Sequence, residues 1–218
     1  MRKGSAEKLA RVAIIDYGVG NLRSVEKTFH ATGCEAVVSS DERVLREADR
    51  LVLPGVGAFR ACMDALSERG FDCLVRERVE EGTPLLGVCV GMQMLFEESE
   101  EFGMSAGLGI MRGRVRRFAA AQRVPHVGWN QVEWRKSHPL VEGVEDNSFF
   151  YFVHSFFCDA EDADVVLGET EYGQRYASVV ARGNVCGVQF HPEKSQAAGL
   201  RLLENFARRE FTSAPGTR

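Results

Sequence analysis

The 218-residue chain carries 27 basic and 31 acidic side chains, a formal charge of −4, with 44% hydrophobic and 27% charged residues. That length suits one large α/β domain or two small ones. The composition excludes wholesale disorder, and the mild acidity argues against a nucleic-acid partner. The 22 glycines exceed the usual roughly 7% and belong to no repeat, so many are expected in tight turns.

Residues 1–10 carry Arg2, Lys3 and Lys8 with no hydrophobic run behind them, so they read as a flexible tail and not as a secretory signal. Arg11 to Asp16 reads as a short apolar strand. Asn21 is placed to cap a helix whose apolar positions are Leu22, Val25 and Phe29. Glu35 to Val38 and Arg50 to Leu53 follow as strands, and Ala58 to Arg69 and Phe71 to Glu81 as helices divided by Gly70. A buried strand, Leu85 to Val88, then leads into a helix opening near Gly91. Strands alternating with helices of this size predict an open, mostly parallel sheet flanked by helices.

The second half is richer in strands, which predicts additional antiparallel pairing. The candidates are Arg114–Phe118, Gln131–Trp134, Phe149–Val153, Val165–Leu167, Tyr176–Ala181 and Asn184–Phe190. A last helix over about 195–211 carries Leu200, Leu203 and Phe206. With no linker in between, residues 11–211 read as one α/β domain, with 212–218 a second flexible tail. No stretch approaches the roughly 18 apolar residues of a membrane span, so no membrane partner is expected. The six cysteines include no CxxC and no zinc-like pairing with histidine, which points to reduced thiols in a cytosolic protein with no metal.

Three glycine clusters sit after strands. Gly18-Val19-Gly20-Asn21 resembles the start of a dinucleotide fingerprint, but Arg23 occupies the third glycine position and no acid ends a clear following strand, so a plain turn is favoured. Pro54-Gly55-Val56-Gly57 offers backbone N–H groups at the carboxyl edge of the sheet, where open α/β sheets bind ligands. Gly87-Val88-Cys89-Val90-Gly91 is the sharpest signal. A nucleophile on a crowded strand-to-helix elbow needs small residues two positions to each side, and Gly87 and Gly91 stand there. A helix N-terminus favours thiolate, and the Val90 N–H would face an oxyanion forming beside the sulfur. Alone, the motif reads equally well as a tight turn.

Such a cysteine needs a base. Of the five histidines, His30 and His138 lack a motif, and His126 and His154 lack a nearby acid. His191, in Gln189-Phe190-His191-Pro192-Glu193, has Glu193 two residues on, on the same side of an extended segment. That carboxylate can fix the ring's tautomer and stabilise its charged form.

Gly87-Val88-Cys89-Val90-Gly91-Met92-Gln93 together with His191-Pro192-Glu193 resembles the class I, or triad, glutamine amidotransferases, whose open sheet is flavodoxin-like. The blocks Ile15–Ser24, Leu53–Phe59, Val127–Asn130, Tyr151–Ser155 and His191–Ser195 are similar to the glutaminase subunits of imidazole glycerol phosphate synthases. The resemblance implies Cys89 as nucleophile, His191 as general base and acid, and Glu193 as its orienting acid, with no cofactor. It implies an oxyanion hole from the backbone of Val90 and of Gly55, Val56 and Gly57, whose peptides rearrange when the partner is loaded. Gln93 and Glu101 match positions that hold the substrate glutamine. Trp129, Asn130, Tyr151 and Lys194 match positions facing a partner, a (β/α)8-barrel cyclase subunit that forms a heterodimer and receives ammonia. Val90 stands where leucine is common, and Phe156 where tyrosine is frequent. Still open are a glutaminase subunit for anthranilate, aminodeoxychorismate or pyridoxal phosphate synthesis, a free-standing γ-glutamyl hydrolase, and a non-catalytic interaction module on the same fold.

Overall fold

The computed structural model describes residues 10–119 and 123–211. The two expected tails lie, Ala10 apart, outside the described residues. The segments predicted as the first four strands are β1 (Val12–Ile15), β2 (Ala36–Ser39), β3 (Arg50–Gly55) and β4 (Leu85–Cys89). Every residue of β1, β3 and β4 is buried, as expected of strands covered on both faces. Between them run α1 (Leu22–Ala31), α2 (Glu42–Glu47), α3 (Phe59–Glu68) and α4 (Phe71–Glu80). α1 packs on the C-terminal helix and α3 on α4.

After Cys89 the chain makes only one helical turn, α5 (Val90–Gln93), and then β5 (Phe96–Ser99), β6 (Ser105–Ala106), β7 (Met111–Arg117), β8 (His126–Trp134), β9 (Ser148–His154) and β10 (Phe156–Ala160). It closes with β11 (Val166–Glu171), β12 (Arg175–Arg182), β13 (Val185–Val188), a 3-10 turn at Pro192–Lys194 and α6 (Gln196–Arg208). The sheet runs β2-β1-β3-β4-β13-β12-β10-β7-β5-β6. Its first five strands are mutually parallel, and antiparallel ladders join β13 to β12, β12 to β10 and β10 to β7. β11 leaves this path to pair with β8, and β8 pairs with β9.

Two local expectations change, and the helix expected near Gly91 is present as a single turn. Asn21 sits at the N-cap of α1 but makes no side-chain cap; its Oδ1 accepts from Ser24 Oγ at 2.9 Å instead. The helix after Cys89 ends after one turn because the chain is drawn into β5, with the Leu95 carbonyl accepting from the N–H groups of Ile110 and Met111 at 2.9 Å each. On α6 the buried stripe is Gly199, Leu202, Leu203 and Phe206, while Leu200 is exposed. The three-residue spacing of Leu200, Leu203 and Phe206 drifts around a 3.6-residue helix, so the first of them leaves the core-facing side.

Candidate active site

The order β3-β4-β13 sets three chain segments side by side at the carboxyl edge. Register pairs Gly55 with Cys89 and Val88 with Val188, so the Pro54–Gly57 loop flanks Cys89 on one side and the segment leading to His191 on the other. Cys89 is buried with φ +56° and ψ −115°, a conformation that costs a non-glycine residue on the order of 1–3 kcal/mol. This is the expected strained elbow, and the neighbouring glycines are there for space. A Cβ on Gly91 would stand 1.8 Å from the Leu53 carbonyl oxygen, one on Gly87 would stand 2.6 Å from the Gly91 oxygen, and one on Gly55 would stand 2.7 Å from the Gly91 nitrogen. Gly57 differs: it has open room but a φ of +91°. Because α5 is a single turn, the dipole acting on Cys89 is smaller than that of a longer helix, and the local N–H groups carry most of its effect.

His191 Nδ1 lies 2.9 Å from Glu193 Oε1. The Glu193 side chain is almost wholly buried, and its Oε2 has no partner among the described residues. Burial works against the His191 imidazolium, but the neighbouring Cys89 and Glu193 outweigh it and raise the pKa to about 10. The turn carrying both residues is stapled to β9: His191 N–H donates to the Tyr151 carbonyl at 2.9 Å, and Tyr151 N–H donates to Ser195 Oγ at 3.0 Å. Gly199 lets α6 approach that turn, since a Cβ there would stand 2.0 Å from the Pro192 oxygen.

Cys89, His191, Val56, Gly57, Gln93 and Glu101 line one cavity of about 320 Å³. A wider groove of about 720 Å³ near Lys136 and Glu142 contains no cysteine. Glu101 Oε2 accepts from the Phe59 N–H at 2.6 Å, at the start of α3. Gln93 gives both amide protons to the protein, to the Phe156 carbonyl at 3.1 Å and to Gln189 Oε1 at 2.9 Å, leaving its own oxygen for a ligand. Val90 is buried at the elbow next to Cys89.

Of the four residues expected to face a partner, Trp129 and Tyr151 lie beside the cavity, Lys194 reaches its lining, and Asn130 lies apart from them. Across the β8–β9 ladder Trp129 faces Tyr151, edge to face at 5.9 Å between centroids, and Lys194 Nζ sits 5.6 Å from the Tyr151 ring centre. Val127, Trp129, Phe149 and Val153 form an exposed apolar face on these two strands. Asn130 projects to the other side, donating to the Glu171 carbonyl at 2.9 Å.

Several supporting residues escaped the sequence reading. Gln189 Nε2 approaches Cys89 Sγ at 3.8 Å; a glutamine inside an apolar strand was the available signal. Tyr17 O–H donates to the Pro54 carbonyl at 2.6 Å, and the Cys62 thiol donates to the Val56 carbonyl at 3.3 Å, so both ends of the glycine loop are held. Nothing local marks that pairing. Among the described residues, no group of His, Cys, Asp and Glu could hold a metal, and no helix is long and apolar enough to cross a membrane.

The glutamine amidotransferase class-I family matches residues 13–209. The imidazole glycerol phosphate synthase subunit HisH of Syntrophotalea carbinolica is 50% identical over 89% of this chain and 98% of its own length. That of Aquifex aeolicus is 50% identical over 91% of this chain and 97% of its own. Among solved structures, a crystal structure of a glutamine amidotransferase is 26% identical with TM-score 0.69, covering 89% of this chain and 98% of that one. PurLQS from Thermotoga maritima shares the fold at 18% identity with TM-score 0.73, covering 91% and 97% of the respective chains. A cysteine elbow beside a His–Glu pair, matched over nearly the whole chain, leads to one placement: this chain belongs to the class I glutamine amidotransferases, in the family of the imidazole glycerol phosphate synthase subunit HisH.

Proposed function

We propose that the chain hydrolyses glutamine to glutamate and ammonia in the cytoplasm and passes the ammonia to a (β/α)8-barrel cyclase subunit. That partner would form imidazole glycerol phosphate and an aminoimidazole carboxamide ribonucleotide in histidine biosynthesis. The observation that carries the reading is Cys89 at positive φ on the elbow, in one cavity with a His191 bonded to Glu193 at 2.9 Å.

His191, held as the imidazolium beside Glu193, already carries the proton, and Cys89 attacks the glutamine side-chain carbonyl carbon as the thiolate paired with it. The Val90 N–H and the Gly55–Gly57 backbone hold the oxyanion; losing one such donor costs about 10²–10³ in rate. As the carbon–nitrogen bond breaks, His191 protonates the departing nitrogen and ammonia leaves. The neutral ring then takes a proton from water and hydroxide attacks the γ-glutamyl thioester; the carbon–sulfur bond breaks, glutamate leaves, and the thiolate is restored beside the imidazolium. Ammonia released to water is largely protonated and no longer nucleophilic. A partner seated on the apolar β8–β9 face, which adjoins the cavity at Val153 and Lys194, would take it up directly. Hydrolysis measured for the chain alone, with cyclase, and with cyclase plus its nucleotide tests this. Cys89→Ala is expected to abolish turnover in all three; turnover unchanged in that variant sinks the assignment.

A further inference from the structure

Two buried histidines have no part in the mechanism: His154, which lines the cavity, and His126, which lies behind it. Their hydrogen bonds fix every proton between them. Asn130 Oδ1 accepts from the Gln131 N–H at 2.8 Å and its Nδ2 donates to the Glu171 carbonyl at 2.9 Å, so the second Nδ2 proton points to His126 Nε2 at 3.4 Å. That nitrogen is therefore an acceptor, and the His126 proton is on Nδ1, 3.2 Å from His154 Nε2. At the far end His154 Nδ1 lies 2.7 Å from the Phe156 carbonyl, which can only accept, so the His154 proton is also on Nδ1. Tyr176 O–H lies 3.2 Å from His154 Nε2 and 3.4 Å from His126 Nδ1; passing the bond through this hydroxyl leaves the direction unchanged. The Phe156 carbonyl also accepts from Gln93, whose amide donates to Gln189 beside Cys89.

We propose that His126 and His154 are positioning residues: with Asn130 and Tyr176 they form a proton-ordered chain from the β8–β9 strands to the cavity wall, holding the Phe156 carbonyl and the Gln93 amide in place for glutamine. This deepens the glutaminase reading and rests on it. A neutral imidazole is the side chain that donates at one end and accepts at the other across this span, so two in series carry the direction of the bonds inward. An extra proton on either ring would set two N–H groups face to face. The surroundings agree: Phe118, Phe152 and Tyr172 pack around the pair, and His191 is the facing charged group. Burial lowers the pKa of His126 to about 4 and that of His154 to about 3.

The test has two arms. Imidazole ¹⁵N spectra of the full chain, from about pH 5.5 to 8, are expected to show both rings neutral with the proton on Nδ1, the less usual tautomer. A proton on Nε2 of either ring, or titration near the ordinary histidine value, overturns the chain. The second arm measures glutamine hydrolysis with the cyclase subunit present. His154→Phe is expected to raise KM for glutamine about tenfold, the effect of one lost buried hydrogen bond, with a smaller change in kcat. His154→Asn, whose Nδ2 can take the place of Nδ1, is expected to recover most of that loss. Asn130→Asp, which presents an acceptor to His126 Nε2, is expected to move the His126 proton and raise KM in the same direction. Equal KM for His154→Phe and wild type, or no recovery with His154→Asn, overturns the proposal. Should the wild type hydrolyse no glutamine, the glutaminase reading fails while the spectra still decide the proton order.

Discussion

Replacing Gly91 by alanine would test the elbow through a single methyl group. The new Cβ would stand 1.8 Å from the Leu53 carbonyl oxygen and 2.9 Å from its carbon. Carbon rarely approaches oxygen closer than about 3 Å, so β3 and the elbow must separate by about 1 Å. Neither side yields easily, because Leu53 is locked into the β3–β4 ladder and Gly91 into α5. Overpacking of this kind costs about 1–3 kcal/mol. The displacement also falls between Cys89 and the Gly55–Gly57 backbone proposed to hold the oxyanion, where a misplacement of about 1 Å costs about 10²-fold in rate. Gly70→Ala is the control: it too puts a side chain at positive φ, +70°, but meets nothing within 4 Å and lies outside the cavity. Urea denaturation and glutaminase assays with the cyclase subunit should show both variants destabilised and only Gly91→Ala losing turnover. Wild-type turnover in Gly91→Ala would refute the claim that a close backbone approach sets the nucleophile against its oxyanion hole.

Between its ordinary value of 6.5 and its folded value of about 10, His191 holds a proton that the unfolded chain lacks. Its contribution to stability is complete below pH 6.5 and is lost as pH rises through about 10, so stability slopes downward with pH across that window. Glu193→Gln should flatten this slope in denaturation series and lower kcat by about 10²–10⁴; an unchanged slope contradicts the pairing. Tyr17→Phe removes the hydroxyl that holds the Pro54 carbonyl at 2.6 Å and should cost about 1–3 kcal/mol of stability, read in urea, together with a lower kcat. Trp129→Ala should weaken cyclase binding about 30-fold in a titration without moving the melting temperature, because the ring is 45% exposed in the isolated chain. Unaltered affinity would remove the β8–β9 face as the docking surface.

The sequence by itself determined the residues whose chemistry depends on near neighbours. Gly87 and Gly91 around Cys89 announce a crowded elbow, and Glu193 two positions past His191 announces an oriented imidazole; both demands act within a few residues and are written in the local spacing. The buried apolar runs of β1, β3 and β4 were legible for the same reason, since a strand covered on both faces must be apolar throughout. The short elements α2, β5, β6 and β10 were not, because a few residues carry too little periodicity to separate helix from strand. Only the tertiary structure decided who meets whom. The order β3-β4-β13 brings the glycine loop, Cys89 and His191 together, Tyr17 and Cys62 reach the loop carbonyls, and Gly199 admits α6 against the His-Pro-Glu turn. It also decided what His126 and His154 are. In sequence they are histidines without an acid; in the fold each is given its proton position by partners from β8, β9, β10 and β12. A hydrogen bond fixes a donor only when its acceptor is in place, and those acceptors come from strands that only the folded sheet brings together.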